Sequence, residues 1–209
     1  EDEGVIFATG DTSKHDTYEL DFAAQAETIH SIQLEVLPDD RLPARGPGMT
    51  NYEGPEGDFF LSEFQVESGS DKRHDFSEAT ETDANNGFGN NPAYAEQAVD
   101  GDIQTGWAIA RRGAGRRNVA VFRLKDPIAA GSRFRVRMHF GRHYASSLGK
   151  FRIYVTSDPE PVEATLLGPE WADRLAASDV KNDPLVRETF LMQAPELQKY
   201  AEPIRKLRT

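Results

Sequence analysis

Apolar and polar residues alternate with period two along much of the chain, and that alternation predicts β-strands. Thr17 to Ala23 and Ile29 to Leu37 are the first, with Ile32, Leu34 and Val36 on one side of the second. Phe60, Phe64 and Val66 share a face of the next. Asn118 to Leu124 follows, then Arg133 to Phe140, where Phe134, Val136, Met138 and Phe140 alternate with Arg133, Arg135, Arg137 and His139. Lys150 to Ser157 repeats the pattern through Phe151, Ile153 and Val155. Strands of this kind, separated by Gly, Pro, Asn and Asp, predict an all-β fold, an antiparallel β-sandwich over residues 1–158. Two long connections, Pro38 to Gly57 and Asp83 to Pro92, are rich in turn residues and lack alternation, and such loops on a β scaffold commonly carry function.

Beyond Asp158 the pattern changes, and residues 159–209 read as a helical C-terminal extension or inter-domain linker. Asp183-Pro184 has the form of a helix N-cap followed by a first-turn proline, and Pro195 can open a second helix. Leu197, Tyr200, Ile204 and Leu207 fall on one helical face, with a break expected at Pro203.

Composition narrows the function classes. The 209 residues are 38% hydrophobic, enough for one core, and 24 Lys and Arg stand against 35 Asp and Glu, a formal net charge of -11. That field repels polyphosphate and argues against a nucleic-acid partner. The absence of cysteine removes disulfides, thiolate chemistry and Cys-x-x-Cys-His haem attachment, so no haem is expected in this chain. No apolar run is long enough to cross a membrane as a helix, and the Glu1-Asp2-Glu3 start reads as that of a mature or excised piece. G-x-S-x-G, H-E-x-x-H and phosphate-loop motifs are absent, and His15, His30, His74, His139 and His143 show no metal spacing, so a non-enzyme is expected.

The sharpest local pattern runs from Gln97 to Trp107, Q-A-V-D-G-D-I-Q-T-G-W. Carboxylates at alternate positions, a hydroxyl and nearby carbonyls offer the hard oxygens that Ca²⁺ takes; a solvated Asp-Gly turn is the plainer alternative. The stretch resembles the metal loop of discoidin-like and coagulation-factor-type galactose-binding modules. That resemblance implies a structural calcium held by the Gln97 carbonyl, Asp100, Asp102 and Thr105. Leu61 to Val66 is similar to those modules' companion strand and implies the Ser62 carbonyl and the Glu63 carboxylate as further ligands. Gly149 to Asp158 looks like their strand ending in S-x-D. Here the Glu-bearing strand precedes the D-G-D loop, which implies a circular permutation of a galactose-binding-like jelly roll.

A longer resemblance runs through Leu37 to Pro43, Gly46 to Gly48, Asp58 to Glu63, Asp75 to Ser77, Ala98 to Asp102, Thr105 to Ala108, Leu148 to Arg152 and Arg187 to Leu191. In order, these resemble a module of planctomycete cytochrome-associated multidomain proteins. The resemblance implies an exported bacterial protein, with haem and other domains elsewhere in the parent chain.

Ligand contacts are expected from arginines and loop aromatics, because guanidinium forks suit carboxylate and sulfate, and aromatic faces suit sugar C–H surfaces. Arg111, Arg112, Arg116 and Arg117 crowd one loop, where a solvated loop whose arginines offset neighbouring acids is the plainer alternative, and Arg142, His143 and Tyr144 lie at another. Tyr52 and Phe88 are weaker platform candidates, and Trp107 is expected in the core or behind the metal loop. Together these features predict a non-catalytic carbohydrate-binding module with a polysaccharide or oligosaccharide partner, possessing a calcium ion and favouring acidic glycans. The alternative is a docking domain without a glycan ligand.

Overall fold

The computed structural model describes residues 4–24, 27–51, 54–69, 72–84, 93–109, 115–166, 182–184 and 186–187. Nine strands form there: β1 (Val5–Phe7), β2 (His15–Ala23), β3 (Ile29–Val36), β4 (Glu63–Ser68), β5 (Lys72–His74), β6 (Phe76–Glu81), β7 (Asn118–Ile128), β8 (Arg133–Gly141) and β9 (Lys150–Thr156). They make a five-stranded sheet, β1-β9-β3-β7-β6, and a four-stranded sheet, β2-β8-β4-β5, with every pairing antiparallel. The fold is an all-β sandwich.

The alternation dictates which side chains meet. Ile32, Leu34, Val36, Phe122 and Phe151 from one sheet face Phe64, Val66, Val136, Met138 and Phe140 from the other. Phe64 stacks on Phe122 at 4.2 Å between centroids, joining the two layers at their middle. Because neighbouring residues on a strand point to opposite faces, burying Phe64 turns Glu63 to the other side of the four-stranded sheet. There Glu63 is nonetheless buried, 2% exposed, and its carboxylate meets the Gly101 amide of the D-G-D loop.

Most expected strands form close to their predicted limits, and three others do not stand out in the pattern. β1 and β5 have three residues each. β6, FSEATE, is an edge strand with a single large apolar residue, Phe76, which packs with Ala79 against the main core. The Phe60 end of the third predicted strand is not in the ladder: β4 begins at Glu63, and Leu61 makes an isolated bridge to Trp107.

The chain divides into two compact units, Glu1–Leu166 and Leu167–Thr209. After β9, residues 162–166 alternate between half-buried and exposed positions. This segment is pinned by Ala164 N–H to Thr80 Oγ1 (2.9 Å) and by the Arg117 guanidinium to the Leu166 carbonyl (2.7 Å). In the second unit, Asp183 caps a helical turn: its carboxylate accepts from the Val186 amide at 3.2 Å, and its carbonyl accepts from Arg187 N–H at 3.0 Å. The remaining helical expectations, around Pro195, Leu197, Tyr200, Pro203, Ile204 and Leu207, lie outside the described residues.

Candidate functional site

The D-G-D loop follows a 3₁₀ turn, Ala95–Val99. Gly101 takes φ +86°, a left-handed conformation that side-chain-bearing residues rarely adopt, and so reverses the chain between the two aspartates. Gly106 rests directly on the Leu61 carbonyl, where a Cβ would collide, and this contact brings the loop against β4. Trp107 locks the far end: it is fully buried, packs edge-on to Phe59 at 5.0 Å, and donates its indole N–H to the Asp83 carbonyl at 3.0 Å. Trp107 is therefore core, as one of its two expected roles had it.

Thr105 sits at the centre of the loop. Its hydroxyl oxygen lies 3.0 and 2.8 Å from the two Asp100 carboxylate oxygens, 2.8 Å from the Asp102 carbonyl and 3.5 Å from the Gln97 carbonyl. One hydroxyl proton serves one acceptor well, so the spot is rich in oxygen and poor in donors. Glu63 adds to this surplus. Its Oε1 accepts the Gly101 amide at 2.8 Å, while its buried Oε2 has no hydrogen-bond partner. Burial, as the largest cause, raises the Glu63 carboxyl above the ordinary range, and the Asp100 charge adds to the rise.

Asp102 and Ser62 are the other nominated residues with side-chain contacts. The Asp102 carboxylate turns back to cap the Gln104 amide at 2.9 Å, so its carbonyl, not its carboxylate, faces Thr105. Ser62 is buried, and its hydroxyl stitches β4 to the end of β8 through the Gly141 amide at 2.9 Å. Among the described residues no group of three or more His, Asp or Glu side chains is placed to hold a metal ion by themselves. A Ca²⁺ site draws also on carbonyl and hydroxyl oxygens, and Gln97, Asp100, Asp102 and Thr105 supply that mixture, with Glu63 beside them.

The arginine loop is described in part. Arg111 and Arg112, like Tyr52 and Phe88, lie outside the described residues. Arg116 binds the buried Asp83 carboxylate at 2.9 Å. Arg117 pairs with the buried Glu35, which Arg152 approaches from the other side at 3.6 Å. These two guanidinium groups serve buried internal carboxylates.

Arg142, His143 and Tyr144 come together at the end of β8. The Arg142 guanidinium lies over the Phe60 ring, 3.7 Å from its centroid, a cation–π contact. His143 is exposed and meets the half-buried Tyr144 edge-on at 4.8 Å. Phe60 belongs to a small buried cluster with Ala93 and Ala108, separate from the main core. Sequence reasoning missed Phe60 as part of this group, because its partner arrives from a distant strand end. No known family model, characterised protein or solved structure matches the chain.

Proposed function

We propose that this sandwich is a non-catalytic, galactose-binding-like carbohydrate-binding module of an exported multidomain bacterial protein, stiffened by a structural calcium and selective for acidic polysaccharide. The observation that carries the binding reading is the Arg142–Phe60 stack beside the His143–Tyr144 pair. The buried Phe60 ring positions the guanidinium, and the exposed His143 with the half-buried Tyr144 supplies ring surface beside it, the combination that recognises a carboxylated or sulfated sugar. Arg116 and Arg117 hold Asp83 and Glu35, and we assign recognition to the Arg142 loop. The resemblance to planctomycete cytochrome-associated proteins supplies the setting, with haem and further domains elsewhere in the parent chain. Calcium would be held by Asp100, Thr105, Glu63 and the carbonyls of Gln97 and Asp102, with Ser62 as the further nominated carbonyl, and would fix the loop that braces β4.

The test is migration of the chain through native gels containing polygalacturonate or a neutral galactan, with calcium present. Retardation by polygalacturonate alone, lost in Arg142→Ala and weakened by salt, is the expected result. Equal retardation by both polymers would defeat acidic selectivity, and no retardation by either would favour the docking reading. That second reading has its own support in a cleft of about 420 Å³ lined by Phe22, Phe134, Ile29, Ile153 and Val155, the last of these 48% exposed.

A further inference from the structure

The D-G-D loop has a charged neighbour that neither binding reading uses. β5 pairs with β4 at the sheet edge, in a register that sets Arg73 across from Glu67. From there the Arg73 side chain reaches back toward Glu63, and its guanidinium stands 3.9 Å from Oε2, the oxygen that lacks a hydrogen-bond partner. At that distance the contact is charge attraction without a hydrogen bond. The two ends are unequal: the Glu63 side chain is 2% exposed and that of Arg73 is 54% exposed. A buried carboxylate needs a compensating charge, and a half-exposed guanidinium at long range compensates it loosely.

Beside this pair lies a cleft of about 250 Å³ lined by Arg73, Lys125, Asp75, His74, Phe76 and Val99. Val99 directly precedes Asp100, so the cleft abuts the oxygen-rich loop. His74 forms part of its wall and is fully engaged, with Nδ1 2.8 Å from the Asp126 carbonyl and Nε2 2.7 Å from Ser68 Oγ. The charges therefore come from Arg73 and Lys125 against Asp75, with Glu63 behind Arg73. Arg73 and Lys125 against Asp75, Glu63 and Asp100 leave one net negative charge in this neighbourhood. A divalent cation at Glu63 and Asp100 would take over that compensation and leave the cleft with a positive excess.

We propose that Arg73 is a displaceable counter-ion of Glu63, and that cation binding at the loop releases it to join Lys125 in holding a carboxylate or sulfate group in this cleft. The inference rests on the calcium reading above and adds to it a coupling between ion and anion. Coupling of this kind is reciprocal: the anion must tighten calcium by the same factor that calcium tightens the anion.

The experiment is titration calorimetry on the full chain with Ca²⁺ alone, with monomeric D-galacturonate alone, and with each in the presence of the other. Arg73→Gln should bind calcium about threefold or more tightly than wild type, because a competing positive charge is gone. Arg73→Lys keeps the charge and should stay near the wild-type affinity, which separates electrostatics from packing. Galacturonate affinity should rise with calcium in wild type, lose that rise in Arg73→Gln, and fall in Lys125→Gln. Equal calcium affinities in wild type and Arg73→Gln, both folded by circular dichroism, would overturn the counter-ion role and leave the metal reading standing. Calcium binding with galacturonate affinity indifferent to it would overturn the anion cleft. No calcium binding by any of the proteins would remove the metal reading and this inference together.

Discussion

Asp100 and Asp102 are two positions apart and do different work. Asp100 places both carboxylate oxygens within 3.0 Å of Thr105 Oγ1 and also accepts the Asp102 amide at 2.8 Å, whereas Asp102 spends its carboxylate on the Gln104 amide and offers its carbonyl. Since calcium binding to the folded state alone stabilises by mass action, a hundredfold excess over Kd should add about 2.7 kcal/mol. Asp100→Ala should abolish that increment in calcium-dependent melting. Asp102→Ala should keep most of it and instead lower the calcium-free stability by about 1 kcal/mol through loss of the local turn bond. Equal loss of the calcium increment in both variants would show that the Asp102 carboxylate is a ligand. The D-G-D spacing made the loop legible from sequence, but which oxygen each residue presents follows from backbone turns set by Gly101.

At the scale of elements, β2 and β8 hold a pH-sensitive seam. His15 lies across from Gly141 and stacks on His139 with centroids 6.1 Å apart, and Thr17 Oγ1 is 3.0 Å from His139 Nδ1. Burial lowers the His139 pKa below the ordinary histidine value, and the His15 charge lowers it further. A base whose folded pKa is depressed takes up its proton more readily when unfolded. The contribution is therefore fully stabilising above about pH 6.5 and declines as pH falls through the folded value. The urea midpoint should drop between pH 7.5 and 5.5, and His15→Asn should make that drop shallower. An unchanged drop in the variant would place the titration elsewhere. Further along the same strands Arg135 binds Asp21 at 2.8 Å and Arg137 binds Glu19 at 2.9 Å. The arginines alternating along β8 are thus explained by cross-strand acids on β2, a pairing that strand alternation implies only once the neighbours are known.

For the whole molecule, a net charge of -11 is a standing repulsion. The metal-free protein should therefore melt higher as sodium chloride rises from about 20 mM to about 200 mM, because screening relieves that repulsion. A falling melting temperature would show that short-range pairs such as Arg116–Asp83 and Arg117–Glu35 outweigh the global field. The same net charge means that any acidic glycan must be drawn by local cations against the mean field, so placement of Arg142, Arg73 and Lys125 matters more than the total count of basic residues.

The alternation of Phe134, Val136, Met138 and Phe140, and of Ile32, Leu34 and Val36, was sufficient to determine a sandwich. A period-two pattern can bury only one face of a strand, and two such faces must close on each other. β1 and β5 escaped it because three residues are too few to show a period, and β6 because FSEATE holds one large apolar residue, whereas the edge strand β2 alternates over nine residues and was legible. Local spacing likewise determined that residues 97–107 form an oxygen-bearing loop. Tertiary structure alone decided the fate of the charges. Arg116 finds Asp83 at a separation of 33 residues and Arg117 finds Glu35 at 82, and so they become supports of buried carboxylates. Arg142 finds Phe60, and Arg73 finds Glu63. An arginine's reach is several ångströms, and its role depends on which acid or ring the sheet register brings within that reach, information that no stretch of neighbouring residues contains.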